Sequence, residues 1–453
     1  MTASMTADHA RNSGPRVEAP LTLAAPPTQS FGLGGMFGLW ANLGVSLLLP
    51  VAAAYVILPG RPLAVTALAI VVGAVIGAVL LGLTAAPAAR ERVPAMVVLR
   101  GLLGRRASYL PTALNIVQCV GWATLEIVII AEVASRALSA PRWPFVIAAG
   151  VLATVMAVRP LRAMRVLARY VVWAALAATA YLYIRVLGHP LQPVRQGGAS
   201  SFWTAVDVVI ALPVSWFPLA GDYTRHARTP RTAFLGSALG YGMSTVAFFL
   251  LGALALAAYG NEDLDVIGAL LAVPVGVLAV LVLVTLELDE AFANIYSTAV
   301  SAQNIAARVD RRVLAIAVGV TATVLALVVD IVSYEAFLFL IGAVFVPLAG
   351  VLIVAYYATP AGQWDVSDTA PARLPLLVPW LVGFVAYQLT LPTHFQGVGV
   401  GWTTWWTERQ ADLGIPPGNG WSASLVSLAV AALITAALTL PGALRARRRA
   451  GER

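Results

Sequence analysis

Three acidic residues lie in the middle of a long apolar segment, where a membrane protein tolerates charge least. The almost wholly apolar segment 275–286 runs directly into Glu287, Asp289 and Glu290. Since neither proline nor glycine interrupts residues 277–308, the pattern predicts one helix with the acids near its centre. An ionisable side chain at mid-bilayer costs roughly 2.5–3.5 kcal/mol. Such residues therefore indicate a pathway for ions or substrate.

The whole chain has the composition of a polytopic membrane protein. Hydrophobic residues make up 60% and charged residues 11% of its 453 residues, which is far from soluble composition. A spanning helix needs about 20 apolar residues, and twelve spans are predicted. They cover residues 33–57, 64–86, 111–137, 143–158, 168–187, 202–221, 232–259, 275–305, 313–331, 334–357, 374–393 and 421–440. The predicted fold class is an all-α polytopic membrane protein without a soluble catalytic domain, so no enzyme activity is expected.

The basic residues are all arginine, and they are distributed unevenly between the two sides of this pattern. With the N-terminus inside, 23 of the 29 fall in the tails and inward loops. The six on the outer side are Arg61, Arg136, Arg142, Arg185, Arg195 and Arg409. This asymmetry follows the positive-inside rule and predicts a cell (inner) membrane protein with both termini cytoplasmic. We expect residues 1–32 to be a disordered cytoplasmic tail and residues 441–453 a basic cytoplasmic tail that needs no nucleic-acid partner.

The residue types exclude several kinds of chemistry. The single cysteine, Cys119, allows no internal disulfide. The four histidines have no metal-ligand spacing, and no hydrolase or nucleotide-binding motif is present. We therefore expect no cofactor and no metal, other than Na⁺ or H⁺ as a coupling ion.

Two predicted spans carry proline beside polar residues near their centres. The first span has Leu-Gly-Val-Ser at 43–46 followed by Pro50, and the sixth has Leu-Pro-Val-Ser at 212–215 followed by Pro218. Proline removes a backbone donor, and freed backbone groups are tolerated at membrane depth only where they line a cavity. Because each of these spans opens a block of five, the pair indicates a transporter site. The alternative is that each proline only kinks a packed helix.

A tryptophan and a glutamate on the third predicted span suit a planar ligand. Trp122 and Glu126 are four residues apart, so they share one helical face. The indole offers a stacking surface, and the carboxylate can accept hydrogen bonds from the N–H donors at a ring edge. The alternatives are that Trp122 packs against lipid or core, and that Glu126 pairs with an arginine or a hydroxyl.

The spacing on the eighth predicted span separates its polar residues into two stripes. Glu287, Glu290 and Asn294 share one face, while Thr285 and Asp289 share a neighbouring face. One stripe could contact substrate and the other a cation, because carboxylate and hydroxyl oxygens suit Na⁺ and a carboxylate can also carry a proton. The alternative is that Glu287 or Glu290 pairs with a buried arginine.

Several of these stretches, in this order, resemble one transporter family. They are Leu-Trp-Ala-Asn at 39–42, Gly121-Trp122, Ser215-Trp216 through Arg225, the acidic stretch 289–297 with Gln303-Asn304, and 345–350. Together they resemble the nucleobase–cation symporter-1 (purine/cytosine permease) family, and the acidic stretch is most similar to its hydroxymethylpyrimidine/cytosine branch. The resemblance implies alternating access on a LeuT-type five-plus-five inverted repeat with two extra helices. The first repeat would cover 33–187, the second 202–357 and the extra helices 374–440, within one transporter domain, 33–440.

The resemblance also implies roles for particular residues. The substrate ring would stack on Trp122, and Asn294 would contact it. Glu126 stands where hydantoin transporters have glutamine. Trp216 lies about one turn beyond the family's second aromatic position, with Ser215 as a neighbouring polar contact. The expected substrate-binding set is Trp122, Glu126, Ser215, Trp216, Asn294 and Asn42.

The implied cation site combines backbone carbonyls of the first span with side chains of the eighth. Sodium-coupled members use a hydroxyl pair on the eighth span, where this chain has Asp289 and Glu290. This difference leaves Na⁺ and H⁺ both open. The expected cation-binding set is Gly44, Leu47, Thr285, Asp289 and Glu290.

These observations predict a cation-coupled secondary transporter in the lipid bilayer that imports a pyrimidine-like nucleobase or thiamine-precursor pyrimidine, cytosine or hydroxymethylpyrimidine. Its partner would be a small heterocyclic substrate. One alternative is an amino acid or amine symporter on the same fold, although such cargo would not need Trp122 beside Glu126. Another is a membrane enzyme or sensor using the carboxylates to bind a metal, but no histidine shares their faces.

Overall fold

The computed structural model describes residues 21–23, 27–160, 172–260, 264–329, 334–360, 362–393, 400–416, 418 and 420–451. Apart from short 3₁₀ turns at Ala53–Tyr55 and Leu374–Leu376, its regular structure in these ranges is α-helical. The helices are α1 Leu33–Leu43, α2 Leu48–Ala52, α3 Leu63–Glu91, α4 Ala95–Leu103, α5 Tyr109–Leu138, α6 Arg142–Val158, α7 Val172–Leu187, α8 Phe202–Ser215, α9 Phe217–Thr224, α10 Pro230–Tyr259, α11 Val266–Ala272, α12 Gly276–Ile305, α13 Arg311–Ala326, α14 Tyr334–Ala358, α15 Leu377–Thr390, α16 Val400–Asp412 and α17 Ala423–Gly451.

Each of the twelve predicted spans overlaps one of these helices or a pair of them. Residues 168–171 and 330–331 of two predicted spans lie outside the described residues. By length and apolar character alone, six helices in the described part of the chain are able to cross a membrane, or seven if the bent pair α1 and α2 is one span. The helices at 142–158, 173–187 and 374–390 are apolar but shorter. The helices α4, α11 and α16 were not predicted; they are short and lie between spans.

The helices pack in three groups. The broken first span packs with α3, α8 and α10 in one group, and α5, α6, α12 and α13 form a second. A third group contains α14, α15 and α17, and it joins the first through the contact of α14 with α8. The candidate site lies between the first two groups.

Small residues let the helices of the first group approach closely. A Cβ atom at Gly77 of α3 would lie 2.9 Å from the Cγ atom of Pro213 on α8, and one at Gly44 would lie 2.7 Å from the Cβ atom of Ser244 on α10. Glycine is favoured at such helix contacts in membranes because it brings backbones together. This packing fixes the broken first span against α10.

Side-chain caps set several helix ends. The hydroxyl oxygens of Ser201 and Thr229 accept hydrogen bonds from the third residue after each, at 3.1 Å, at the start of α8 and α10. At the start of α17 the cap comes from another helix: the buried carboxylate of Asp207 accepts from Ala423 N at 2.7 Å and from the Ser422 hydroxyl at 2.5 Å. A carboxylate satisfies the free N–H groups there and opposes the positive end of the helix dipole.

The last residues of the predicted N-terminal tail pack against the helices. Residues 1–20 and 24–26 of that tail lie outside the described residues. Phe31 N donates to His226 O at 3.1 Å, and the Gln29 amide donates to Ala89 O at 2.8 Å. This end of the tail therefore differs from the expected disordered segment, because its backbone pairs with the turn after α9.

Candidate substrate and cation site

The first span is interrupted where the sequence predicted a break. Helix α1 ends at Leu43, α2 begins at Leu48, and the two directions differ by 58°. The four intervening residues leave backbone groups without helical partners. Ser46 satisfies one of them, because its hydroxyl oxygen accepts from Leu48 N at 3.1 Å.

Glu287 of α12 accepts hydrogen bonds from two further polar groups at this break. Its side chain is fully buried, and its two carboxylate oxygens accept hydrogen bonds from the Ser46 hydroxyl at 2.7 Å and from Leu47 N at 2.8 Å. An acceptor from another helix thus compensates the broken backbone at membrane depth. The carboxylate binds the break in the first span and forms no ion pair with a described arginine.

The sixth span has a smaller interruption. Helix α8 ends at Ser215, and α9 begins at Phe217. The carbonyl of Leu212, which the break at Trp216 leaves free, accepts a hydrogen bond from the Ser215 hydroxyl at 2.6 Å. The two halves together still qualify as one span, so this break is milder than the one in the first span.

A cavity lies between the two breaks. Five of the six predicted substrate-binding residues line it: Trp122, Glu126, Ser215, Trp216 and Asn294. The other lining residues include Ser46, Tyr241 and Glu290. The cavity is small, with a volume of only about 10 Å³. The side chains are therefore nearly in contact across the cavity, and a planar ring would have to displace some of them.

Aromatic side chains hold the two tryptophans in fixed orientations. The Trp122 ring meets Tyr334 and Phe337 edge to face, with centroids 5.9 and 5.2 Å apart. The Trp216 Nε1 group donates to the Tyr241 hydroxyl at 2.9 Å. Neither tyrosine was predicted from the sequence, since tyrosines in apolar helices carry no distinctive spacing signal.

Two acidic side chains that face the cavity have their carboxyl groups beside each other. Glu126 is fully buried, and neither of its carboxyl oxygens has a hydrogen-bond donor among the described residues; the same holds for Oε1 of Glu290. The Glu126 carboxyl lies beside those of Glu287 and Glu290. No arginine or histidine is among the residues that line this cavity.

The predicted cation-binding set does not converge in the structure. The carboxylate of Asp289 accepts a hydrogen bond from the side-chain amide of Asn42, so both residues lie at a separate contact between α12 and α1. Thr285 is exposed, and its hydroxyl donates to Val282 O of its own helix at 2.7 Å. Glu290 lines the substrate cavity instead.

Three corrections to the predicted roles follow from this geometry. Thr285 cannot act together with Asp289, because only Asp289 faces the helix bundle. Leu47 directs its N–H group, rather than its carbonyl oxygen, toward an acidic side chain. Asn42 contacts Asp289 rather than the cavity.

On one side of the cavity, amide and hydroxyl groups join the sixth span to its neighbouring helices. The Gln118 amide donates to Ser215 O at 2.9 Å, and the Asn115 amide donates to Pro218 O at 3.2 Å. Farther along, the Tyr223 hydroxyl donates to Ala293 O at 3.1 Å. These bonds join the sixth span to α5 and α12, so they must rearrange if the cavity is to open on this side.

Comparisons with known proteins agree with a transporter. A family described as permeases for cytosine/purines, uracil, thiamine and allantoin matches residues 63–373. No curated protein sequence matches the chain. Among solved structures, Mhp1, a nucleobase-cation-symport-1 family transporter, in a closed conformation with bromovinylhydantoin bound, is 17% identical, with a TM-score of 0.71 and 94% of each chain covered. Its inward-facing conformation is also 17% identical, with a TM-score of 0.68, covering 97% of this chain and 95% of that one. A manganese transporter from Eremococcus coleocola is 14% identical, with a TM-score of 0.55 and coverage of 95% and 98%.

The fold is a LeuT-type five-plus-five inverted repeat with two further helices, and the family match makes the chain a multi-pass membrane transporter. The chain belongs to the permease family for cytosine/purines, uracil, thiamine and allantoin, the nucleobase–cation symporter family, because the match covers more than half of it. Since this family consists of permeases, the protein is a transporter rather than an enzyme.

Proposed function

We propose that this protein is a cation-coupled importer of an amino-pyrimidine, cytosine or hydroxymethylpyrimidine, and that it works by alternating access. The observation that carries the proposal is the cavity between two helix breaks, where Trp122, Glu126 and Asn294 face one another. The protein would lie in the cell (inner) membrane with both termini cytoplasmic and with residues 33–440 as one transporter domain.

In the proposed complex the ring stacks on Trp122, while Glu126 and Asn294 bind its edge. A carboxylate pairs well with an edge on which an exocyclic amine and a protonated ring nitrogen both donate hydrogen bonds. Uracil would instead present its C4 carbonyl to Glu126, which is repulsive. Glu126 therefore favours amino-pyrimidines over uracil.

Cation coupling is supported by the buried acids and by the family. The cation would be Na⁺ or a proton, held by groups at the contact between α12 and the broken first span. Asp289 remains the proposed centre of that site, because it is buried at this contact.

Uptake into proteoliposomes tests this proposal. Labelled cytosine, hydroxymethylpyrimidine and uracil are supplied under an imposed sodium gradient or pH gradient. We expect gradient-driven accumulation of the amino-pyrimidines and little uptake of uracil. Glu126→Gln should weaken amino-pyrimidine uptake more than it lowers the amount of inserted protein. Unchanged competition by cytosine-like ligands in this variant would refute the role of Glu126.

Ligand-induced thermal stabilisation distinguishes an amino acid or amine substrate from a ring substrate. A ligand that binds only the folded protein raises its melting temperature. Stabilisation by aliphatic amines or amino acids, without stabilisation by nucleobases, would show that the substrate is an amine or amino acid rather than a pyrimidine.

A further inference from the structure

Two buried carboxyl groups line the substrate cavity. Glu126 and Glu290 both line it, and they are 0% and 4% exposed. Three of their four oxygens have no hydrogen-bond donor among the described residues. Buried charges are normally paired because an isolated buried carboxylate is very costly.

The other groups around these carboxyls do not supply a positive charge. From α12, Glu287 adds a third carboxyl, whose oxygens are already bound to the break in the first span. From α10 and α14 the facing groups are the hydroxyls of Tyr241 and Tyr334. Ser46 and Asn294, which complete the polar lining, are neutral. A bound proton or a cationic ligand must therefore neutralise these carboxyls.

The aromatic wall also suits a cation. A positive charge delocalised over a planar ring is attracted to the face of an indole, and the attraction grows when both are removed from water. The indole of Trp122 is only 5% exposed, and it lines the same cavity as both glutamates. A charged ring on this indole would have a carboxylate at its edge.

We propose that the site selects a planar heterocycle that carries a positive charge, such as an aminopyrimidinium or another ring with a quaternised or protonated nitrogen. Glu126 and Glu290 balance this charge, and Trp122 stacks on the ring. The inference rests on the proposed function and narrows its substrate class. A cationic ring replaces the protons that these buried carboxyls would keep beside a neutral ring.

Two ligands of the same shape test the role of charge. In 4-amino-1-methylpyridinium the ring nitrogen is permanently charged, and 4-methylaniline has a carbon atom at that position and is neutral at pH 8. Binding to the purified full-length transporter is measured at pH 8 by quenching of tryptophan fluorescence and by thermal stabilisation. We expect the charged ring to bind at least tenfold more tightly than the neutral one.

Variants then assign the preference to particular residues. Glu126→Gln and Glu290→Gln should each reduce the ratio of the two affinities severalfold. Glu132→Gln is the matched control, because Glu132 lies on α5 but forms an ion pair with Arg136 at 2.6 Å outside the cavity. It should leave the ratio unchanged.

The outcomes separate this inference from the proposed function. Equal or tighter binding of 4-methylaniline would overturn it, as would an unaltered ratio in both cavity variants. Binding of neutral amino-pyrimidines without any binding of the charged ring would overturn it too, while leaving a ring transporter in place. Failure of every ring to bind would overturn the proposed function itself.

Discussion

Among the three acids of α12, Glu287 should be the one whose removal most destabilises the fold. Its carboxylate is the acceptor for the Ser46 hydroxyl at 2.7 Å and for Leu47 N at 2.8 Å, and both bonds are buried. In Glu287→Ala these two buried donors lose their acceptor. A stranded backbone N–H group at the break cannot turn to another partner, because its position is set by the neighbouring residues.

The expected loss can be estimated from these two bonds. A hydrogen bond to a charged group contributes roughly 1.5–3 kcal/mol, so Glu287→Ala should cost about 3–6 kcal/mol before other effects. Relief of repulsion from the adjacent Glu126 acts in the opposite direction and lowers this figure. Glu287→Gln gives the same relief but keeps one acceptor oxygen and the volume, so it should cost about half as much.

Thermal unfolding of the purified protein, followed by intrinsic fluorescence, measures whether Glu287→Ala is less stable than Glu287→Gln. Thr285→Ala is the control on the same helix, because Thr285 is exposed and bonds only its own turn. An exposed change of this kind should stay within about 0.5 kcal/mol. If Glu287→Ala and Thr285→Ala have the same melting temperature, the Glu287 carboxylate does not stabilise the break in the first span, and the argument for its role fails.

Three further predictions concern other contacts. Trp122→Phe should retain ring binding at reduced affinity and Trp122→Ala should lose it, as measured by ligand-induced thermal stabilisation; equal affinities in the two would exclude stacking. Asp207→Asn should lower the melting temperature because the charge that caps α17 at Ala423 N is lost, a cost of about 1–3 kcal/mol, while uptake per folded molecule is kept. Gly44→Ala should destabilise by about 1–3 kcal/mol through overpacking against Ser244, and Ser244→Gly should partly restore the melting temperature; no rescue would place the strain elsewhere.

The spans and their breaks could be predicted because both depend on local sequence. A long apolar segment forms a membrane helix whatever its neighbours are. Proline and glycine disrupt helical hydrogen bonds at their own position, so the breaks near Gly44 and Pro213 could be located. The bend angle at each break was not predictable, because the 58° bend of the first span depends on its contacts with α10 and with Glu287.

Thr285 shows why the faces of a helix are harder to predict. Its spacing from Asp289 gives nearly the same direction on α12, yet only Asp289 is buried. The helix is enclosed on all sides from Asp289 to Ser301, whereas two residues of its first turn, Val277 and Leu278, are exposed. A single periodic pattern cannot show where a helix passes from the centre of a bundle to its edge.

The three acids of α12 could be recognised from the sequence as costly, but not assigned to separate roles. Their partners are distant in sequence: Glu287 binds the first span at Leu47, and Asp289 binds Asn42. Once those contacts are made, Glu290 is left with Glu126 on the wall of the cavity. The fold therefore uses one carboxylate to stabilise a broken helix and leaves two carboxyl groups side by side near the Trp122 indole. Glu287 already has two hydrogen-bond donors, whereas Glu126 and Glu290 have none for three of their four oxygens. A positively charged ligand would therefore gain binding energy at Glu126 and Glu290 rather than at Glu287.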